Sequence, residues 1–273
     1  MSLVVSKADG TVESFEPEKL VSSLKRAGAS TDVAQDIARD LEKSLWSGIS
    51  TQEIYGRAFA RLREHRRGVA ARYSLKRAVL DFGPSGFPFE SYIAELFRAE
   101  GYPAEVDKII QGKCVDHEVD VVVHQKDAKT YVEAKFHNNL GFRTDLKVVL
   151  YVQARIEDIA QANELARGLV VTNTKFTSKA IQYASCHGLE LLAWDYPHHG
   201  TLHERIDKAA LYPITALTTL SHHEKRALLE DRIVLCNALS SRTEVLQNIG
   251  VTGAKATGVL EEVGALCMPE GRV

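Results

Sequence analysis

The apolar positions of the chain change period several times. Residues 3–15 alternate and turn at Ala8-Asp9-Gly10, which predicts a short hairpin with Val5 and Phe15 available to a core. Leu20, Val21, Leu24 and Ala27 then recur at helical spacing behind Pro17, and Gly28 stops the run. Thr31 is placed to cap a second helix carrying Val33, Ile37, Leu41 and Leu45. Ser50 with Glu53 forms a capping box for a third, carrying Ile54, Ala58 and Leu62. A fourth is expected from Val69 to Leu80.

Two glycines and two prolines in Phe82-Gly83-Pro84-Ser85-Gly86-Phe87-Pro88 break helical periodicity and mark a domain boundary. The texture beyond it differs. A helix from Phe89 to Glu100 precedes two strand-like runs, Glu118 to His124 and Thr130 to Phe136, joined by a polar turn. A helix near Leu146 to Arg167, an apolar strand from Gly168 to Thr172, a helix from Ser178 to Cys186 and a strand from Leu189 to Trp194 complete an α/β pattern. After Pro197 the chain reads as helical again.

A length of 273 residues suits two or three domains, each with its own core. The net charge of -2 conceals a local excess: Arg57, Arg61, Arg63, Arg66, Arg67, Arg72, Lys76 and Arg77 face only Glu64. That run is either a solvated helix face or a seat for phosphates. Cys114, Cys186, Cys236 and Cys267 are scattered without zinc-site spacing, and read as reduced thiols of a cytoplasmic protein. With no apolar run of eighteen residues, the chain is expected to be soluble and to have no membrane partner.

Chemistry concentrates on the two central strands. Alternation puts Asp120 on the face opposite Val119 and Val121, and Glu133 with Lys135 on the face opposite Val132 and Ala134. The intervening turn makes the strands neighbours, so two carboxylates and an ammonium converge on one patch. Phosphodiester hydrolysis with magnesium or manganese asks for hard oxygen ligands, a positioned water and nearby positive charge. Asp120 and Glu133 would ligate the cation, Lys135 would orient or activate the water, and Glu90 on the preceding helix can reach the centre as a further ligand. His117, His124 and His137 lie around the same strands, but oxygen ligands favour a hard cation over zinc.

The spacing Asp120-x(12)-Glu133-Ala134-Lys135 resembles the PD-(D/E)XK nuclease signature. With Phe89-Glu90-x-Tyr92, Gly101-Tyr102 and Val171-Thr172-Asn173-x-x-Phe176-Thr177, residues 84–196 resemble the Mrr-type restriction endonucleases. That resemblance implies an α/β domain with a mixed central sheet, a catalytic set of Glu90, Asp120, Glu133 and Lys135, and Gln153 on the following helix as a further member. Glu118-Val119-Asp120 stands where Gly-Ile-Asp is often found in that family.

Residues 3–80, through Val5-x-Lys7-x-Asp9-Gly10-x-x-Glu13-x-Phe15-x-x-x-Lys19-Leu20, Trp46 to Ile54 and Val69 to Tyr73, resemble the ATP-cone domain. This implies a regulatory site for ATP or dATP that includes Val5, Lys7, Glu13, Lys19, Thr51 and Lys76, with Ala8 departing from a basic residue common there. Lys19 and Thr51, each near a helix start, suit phosphate independently. Read without the family, Lys7 and Glu13 are equally a surface pair and Thr51 a cap.

Leu246-x-x-Ile249-Gly250-Val251-x-Gly253-x-Lys255 is either part of a helix-hairpin-helix, with Lys255 on DNA phosphate, or a packing corner between two helices. The expectation is a multidomain chain: a mainly α cone of a β-hairpin plus four helices (1–83), the α/β nuclease domain (84–197) and a small helical tail (198–273) that assists DNA binding or makes a homo-oligomer. Its partners would be DNA, held partly by Arg63, Arg66 and Arg67, and a purine nucleotide. The rivals are a nucleotide-responsive DNA-binding regulator with a silent nuclease fold, and a nuclease of branched DNA or RNA.

Overall fold

A computed structural model describes residues 3–7, 10–65, 67–126, 128–162 and 165–267; Ala8 and Arg66, singled out above, lie outside the described residues. Strands β1 (Val4–Ser6) and β2 (Val12–Ser14) pair antiparallel with Val5 opposite Glu13. Helix α1 (Pro17–Arg26) follows, with Pro17 in its first turn. Helix α2 (Thr31–Glu42) is capped by Ser30 rather than Thr31, the Ser30 hydroxyl accepting the Val33 N–H at 3.4 Å. A two-residue strand, β3 (Ile49–Ser50), too short to leave a periodic signal, lies parallel to β1 and leads into α3 (Thr51–His65). The expected fourth helix is broken into α4 (Arg67–Tyr73) and α5 (Leu75–Leu80). At the break the Ser74 hydroxyl bonds the Ala71 carbonyl at 2.8 Å, a local competitor of the helical ladder.

Helix α6 (Phe87–Ala99) starts earlier than its periodicity suggests because Pro88 tolerates the first turn. Then come β4 (Ala104–Gln111), β5 (Asp116–His124), β6 (Lys129–Lys135), β7 (Arg143–Thr144), α7 (Leu146–Ala162), β8 (Ala166–Thr172), β9 (Lys175–Phe176), α8 (Ser178–His187) and β10 (Glu190–Ala193). Five strands form one mixed sheet in the order β10-β8-β6-β5-β4, with β10, β8 and β6 parallel and β5 and β4 antiparallel. Strand β4 escapes the sequence reading because it is an edge: Glu105, Asp107, Lys108 and Ile109 are exposed and no apolar alternation survives. Helix α7 stops at Ala162, five residues short of expectation, and β8 begins before the apolar run.

The remainder is helical: α9 (Leu202–Lys208), closed by a Thr201–Glu204 capping box, a single turn at Ile214–Ala216, α10 (His222–Glu230), α11 (Ala238–Ser241), α12 (Glu244–Asn248) and α13 (Gly253–Cys267). By packing the chain divides into two compact units. One comprises Met1–Ala78, Tyr212–Lys225 and Cys236–Val273; the other comprises Val79–Leu211 and Arg226–Leu235.

In the first unit Leu24, Ile37, Leu41, Ile49, Ile54 and Leu62 form the core. Helix α13 packs on α4, where a Cβ on Gly68 would stand 3.2 Å from the Ala265 carbonyl. Glu262 of α13 is 4% exposed, and its carboxylate accepts bonds from the backbone and hydroxyls of Thr218 and Thr219 at 2.6–2.9 Å. In the second unit Val122, Tyr131, Val149, Val152, Ile159 and Val170 form a core between the sheet and α7 with α8. The four cysteines are free thiols, and no described helix is long and apolar enough to cross a membrane.

Candidate active site

Antiparallel β5 and β6 pair with Val121 opposite Val132 and Val122 opposite Tyr131. That register brings Asp120 and Glu133 onto neighbouring strands, and the Asp120 Oδ2 accepts the Ala134 N–H at 2.7 Å. The face they occupy is largely covered. Val122 and Tyr131 on it are each only 2% exposed, covered by α7, and the two carboxylates emerge half-buried at the margin of that cover. Lys135 ends β6 and is exposed. The chain just beyond it is pinned by Asn173 at the end of β8: its side-chain amide donates to the His137 carbonyl at 2.7 Å and its oxygen accepts the His137 N–H at 2.8 Å. Asn173 thus fixes the chain at the end of β6.

Glu90 stands in the first turn of α6, its carboxyl beside Gly86, where an added Cβ would come within 3.0 Å. Burial, reinforced by the charges of Asp120, Asp107, Glu133 and Glu118, pushes its pKa up to about 7. Burial and then Glu133 push Asp120 up to about 6, against the pull of the Ala134 N–H and Arg155. Glu90, Asp120 and Glu133 therefore feel one another's charge, and their excess negative field is what a cation would relieve.

Arg155 on α7 was not foreseen. It is 91% buried, its Nη1 donates to the Glu133 Oε2 at 2.6 Å, its Nη2 donates to the Tyr151 hydroxyl at 2.7 Å, and its guanidinium lies over the Tyr151 ring. Burial works against its charge, but Tyr151 and Glu133 more than compensate and raise its pKa. The sequence does carry a signal for it: Arg155 sits at core-facing spacing from Val152 and Ile159, and a buried arginine must have a partner. Gln153, the member the family resemblance adds, bonds Glu157 on its own helix at 2.9 Å.

The histidines do not converge. His117 contacts Asp158, His124 contacts Glu105 and His137 contacts the Thr144 hydroxyl. Among the described residues no three His, Cys, Asp or Glu side chains stand ready to enclose a metal ion. The donor set of Asp120 and Glu133, with Glu90 nearby, fits magnesium, which keeps several waters and takes one or two carboxylates, better than it fits zinc.

In the other unit, Lys7 pairs with Glu13 at 2.6 Å, and Lys19 approaches Glu13 at 3.9 Å and Glu16 at 2.8 Å. Ser6 opposite Ser50 makes Lys7 and Thr51 leave the β1/β3 pair at the same end, with Thr51 opening the fifteen-residue α3. Val5 is in the core, 3% exposed, so only its backbone could face a ligand; Lys76 is half-buried on α5. Of the basic run, Arg63 and Arg67 are exposed, whereas Arg57 bonds Glu53 and Ser44 and Arg72 bonds the Ala27 carbonyl at 3.1 Å. Lys255 is engaged by Glu224 at 2.6 and 2.8 Å, and Gly250 and Gly253 make the corner between α12 and α13.

Three family models match: the ATP cone domain over residues 3–80, the Mrr-type restriction endonuclease domain over 84–196, and the AF1548-like C-terminal domain over 212–267. An uncharacterized protein of Archaeoglobus fulgidus is 33% identical over 171 residues, which are 62% of this chain and 97% of the relative. The crystal structure of AF1548, a protein of unknown function, aligns with a TM-score of 0.57 and 30% identity over 67% of this chain and 98% of that one. A chain of an EndoMS complex with double-stranded DNA aligns with a TM-score of only 0.29 and 21% identity, over 42% of this chain and 47% of that one.

Proposed function

Because the chain belongs to the AF1548-like family and joins an ATP cone to an Mrr-type restriction endonuclease domain, we propose that it is a metal-dependent DNA endonuclease set by ATP or dATP. The observation that carries this is the juxtaposition of Asp120 and Glu133 on paired strands, with Lys135 exposed two residues on and Glu90 within their field.

Asp120 and Glu133 would hold magnesium or manganese, Glu90 directly or through water. Bound there, the ion supplies Lewis-acid polarisation of the phosphate and a more acidic water. Lys135 orients that water and faces the negative charge that grows on the phosphate oxygens. The Ala134 N–H keeps one Asp120 oxygen in place, and the clamp on His137 limits the freedom of Lys135.

In the cone, Lys7, Lys19 and the start of α3 at Thr51 would receive a purine nucleotide's phosphates, with Glu13 giving up its lysines to them. Both members of the Lys7–Glu13 pair are at least a third exposed, so the exchange costs about 1 kcal/mol or less. Exposed arginines such as Arg63 and Arg67 would give DNA phosphates further contacts.

The test is incubation of the full chain with linear, supercoiled and branched DNA and with RNA, with and without magnesium and ATP or dATP, beside Asp120→Ala. Metal-dependent cleavage lost in the variant is expected. Cleavage persisting in it would overturn the site. A second reading, a nucleotide-responsive regulator that binds DNA without cutting, draws on the absence of a ready-made metal cage among the described residues; DNA binding without cleavage would establish it.

A further inference from the structure

Helix α7 presents one continuous face to solvent beside the centre. Lys147 is exposed, and one turn later Leu150 and Tyr151 are 42% and 58% exposed, whereas large apolar side chains on the opposite face are buried. Arg155, one turn beyond Tyr151, is buried. An exposed Tyr151 is thus hydrogen-bonded through its hydroxyl to a buried Arg155, which in turn holds Glu133. The guanidinium also has a donor to spare: its buried Nε meets no acceptor among the described residues.

Resting on the nuclease reading above, we propose that Tyr151 and Arg155 form a substrate-sensing relay. Tyr151 is the surface on which an unpaired nucleobase stacks, and Arg155 is the positioning residue that passes the contact to Glu133. The substrate class is therefore nucleic acid with unpaired bases at the cleavage point: a gap, a flap, a branch or a single strand. An aromatic ring with a basic side chain one helical turn away suits such strands, since bases stack while the ammonium of Lys147 meets phosphate. Arg155 cannot be reached by substrate in this arrangement, but any movement of the Tyr151 ring moves the hydroxyl it donates to. A base seated on Tyr151 fixes Arg155 and so fixes the Glu133 oxygens.

Tyr151→Phe separates the two functions by keeping the ring and deleting the hydroxyl. Three readouts apply: quenching of 2-aminopurine in an oligonucleotide with one unpaired position, manganese binding by calorimetry, and kcat and KM on gapped and fully paired duplexes. Tyr151→Phe should leave quenching and KM within about twofold and lower kcat about tenfold, the loss of one charge-assisted bond. Tyr151→Ala should also weaken binding to gapped DNA about tenfold or more while leaving paired duplex unchanged. Arg155→Lys should retain quenching, weaken manganese binding and rescue kcat only in part.

Unchanged kcat and manganese affinity in Tyr151→Phe and Arg155→Lys would overturn the relay. Equal losses of binding affinity for gapped and paired DNA in Tyr151→Ala would overturn the substrate class. Quenching and manganese binding are read without turnover, so a wild-type protein that shows the expected pattern in both yet cuts nothing refutes the nuclease reading and not the relay.

Discussion

Replacing Asp120 by asparagine should destroy cleavage and at the same time stabilise the fold. Asparagine keeps an oxygen for the Ala134 N–H and removes only the charge. In the folded protein Asp120 has a pKa of about 6 against an ordinary 3.8, so the native state binds its proton more tightly than the unfolded chain does. Stability is then highest below the unfolded value, falls as pH rises from about 4, and has lost its full share once pH passes about 6. A difference of about two pH units corresponds to about 3 kcal/mol. The asparagine amide needs partners in the same half-buried place and returns about 1–2 kcal/mol of that. The net gain is about 1–2 kcal/mol at pH 8, or about 2–8 °C in apparent Tm for a chain of this size. Thermal unfolding followed at pH 8 and pH 4 reads it directly. The gain should vanish at pH 4, where both proteins are neutral at this position, and excess manganese should raise the Tm of wild type but not of the variant. A variant less stable than wild type at pH 8, or a gain of equal size at both pH values, would refute charge crowding as the cost carried by this site.

Glu262→Ala should cost about 3 kcal/mol or more in urea denaturation, because it orphans the half-buried Thr218 and Thr219 amides that its carboxylate satisfies. Gly168→Ala should cost about 1–3 kcal/mol: a Cβ there would lie 2.5 Å from the Leu189 Cδ1 and 2.7 Å from the Ile156 Cγ1, so the sheet and α7 must part. Lys255→Ala should leave DNA affinity and its salt slope unchanged, since Glu224 already engages the ammonium; a slope reduced by about one would restore the phosphate role. Lys7→Ala and Lys19→Ala should each reduce the rise in Tm that ATP produces, and an undiminished rise in both would move the nucleotide elsewhere.

How legible this was in the chain depended on what each residue had to do. Asp120, Glu133 and Lys135 could be read because strand alternation and the turn between β5 and β6 fix their neighbourhood locally. Strand β4 could not, since an edge strand with Glu105, Asp107, Lys108 and an exposed Ile109 lacks the pattern that burial imposes. The packing of the tail on α4 was not legible either, because a contact such as that of Gly68 with Ala265 joins residues nearly two hundred apart, and sequence periodicity does not report partners at that distance. Gln153 came from a family pattern; Arg155 needed a physical one, a charged residue at a core-facing position of α7 that must find a buried partner.

Arg155 belongs to a wider fastening of α7. One turn on, Asp158 accepts the backbone N–H groups of Cys114 and Val115 and contacts the His117 ring at 2.8 Å, tying the helix to the turn between β4 and β5. The turn comes close only because residue 112 is glycine: a Cβ would stand 2.1 Å from the Asp158 Oδ2. Helix α7 is thereby tied to β6 by Arg155 and to the sheet's edge pair by Asp158, which holds Glu133 against a scaffold fixed at two points. The two ties respond oppositely to acid. The His117 bond first, then those of Cys114 and Val115, hold Asp158 down to about 2, so its contribution is whole above the ordinary carboxylate range and is lost as pH falls from about 4 towards 2. The penalty at Asp120 and Glu90 grows in the other direction, between about 4 and 7. At neutral pH the latch is therefore fully formed while the centre it supports is at its most strained electrostatically, the state in which a cation gains most by binding.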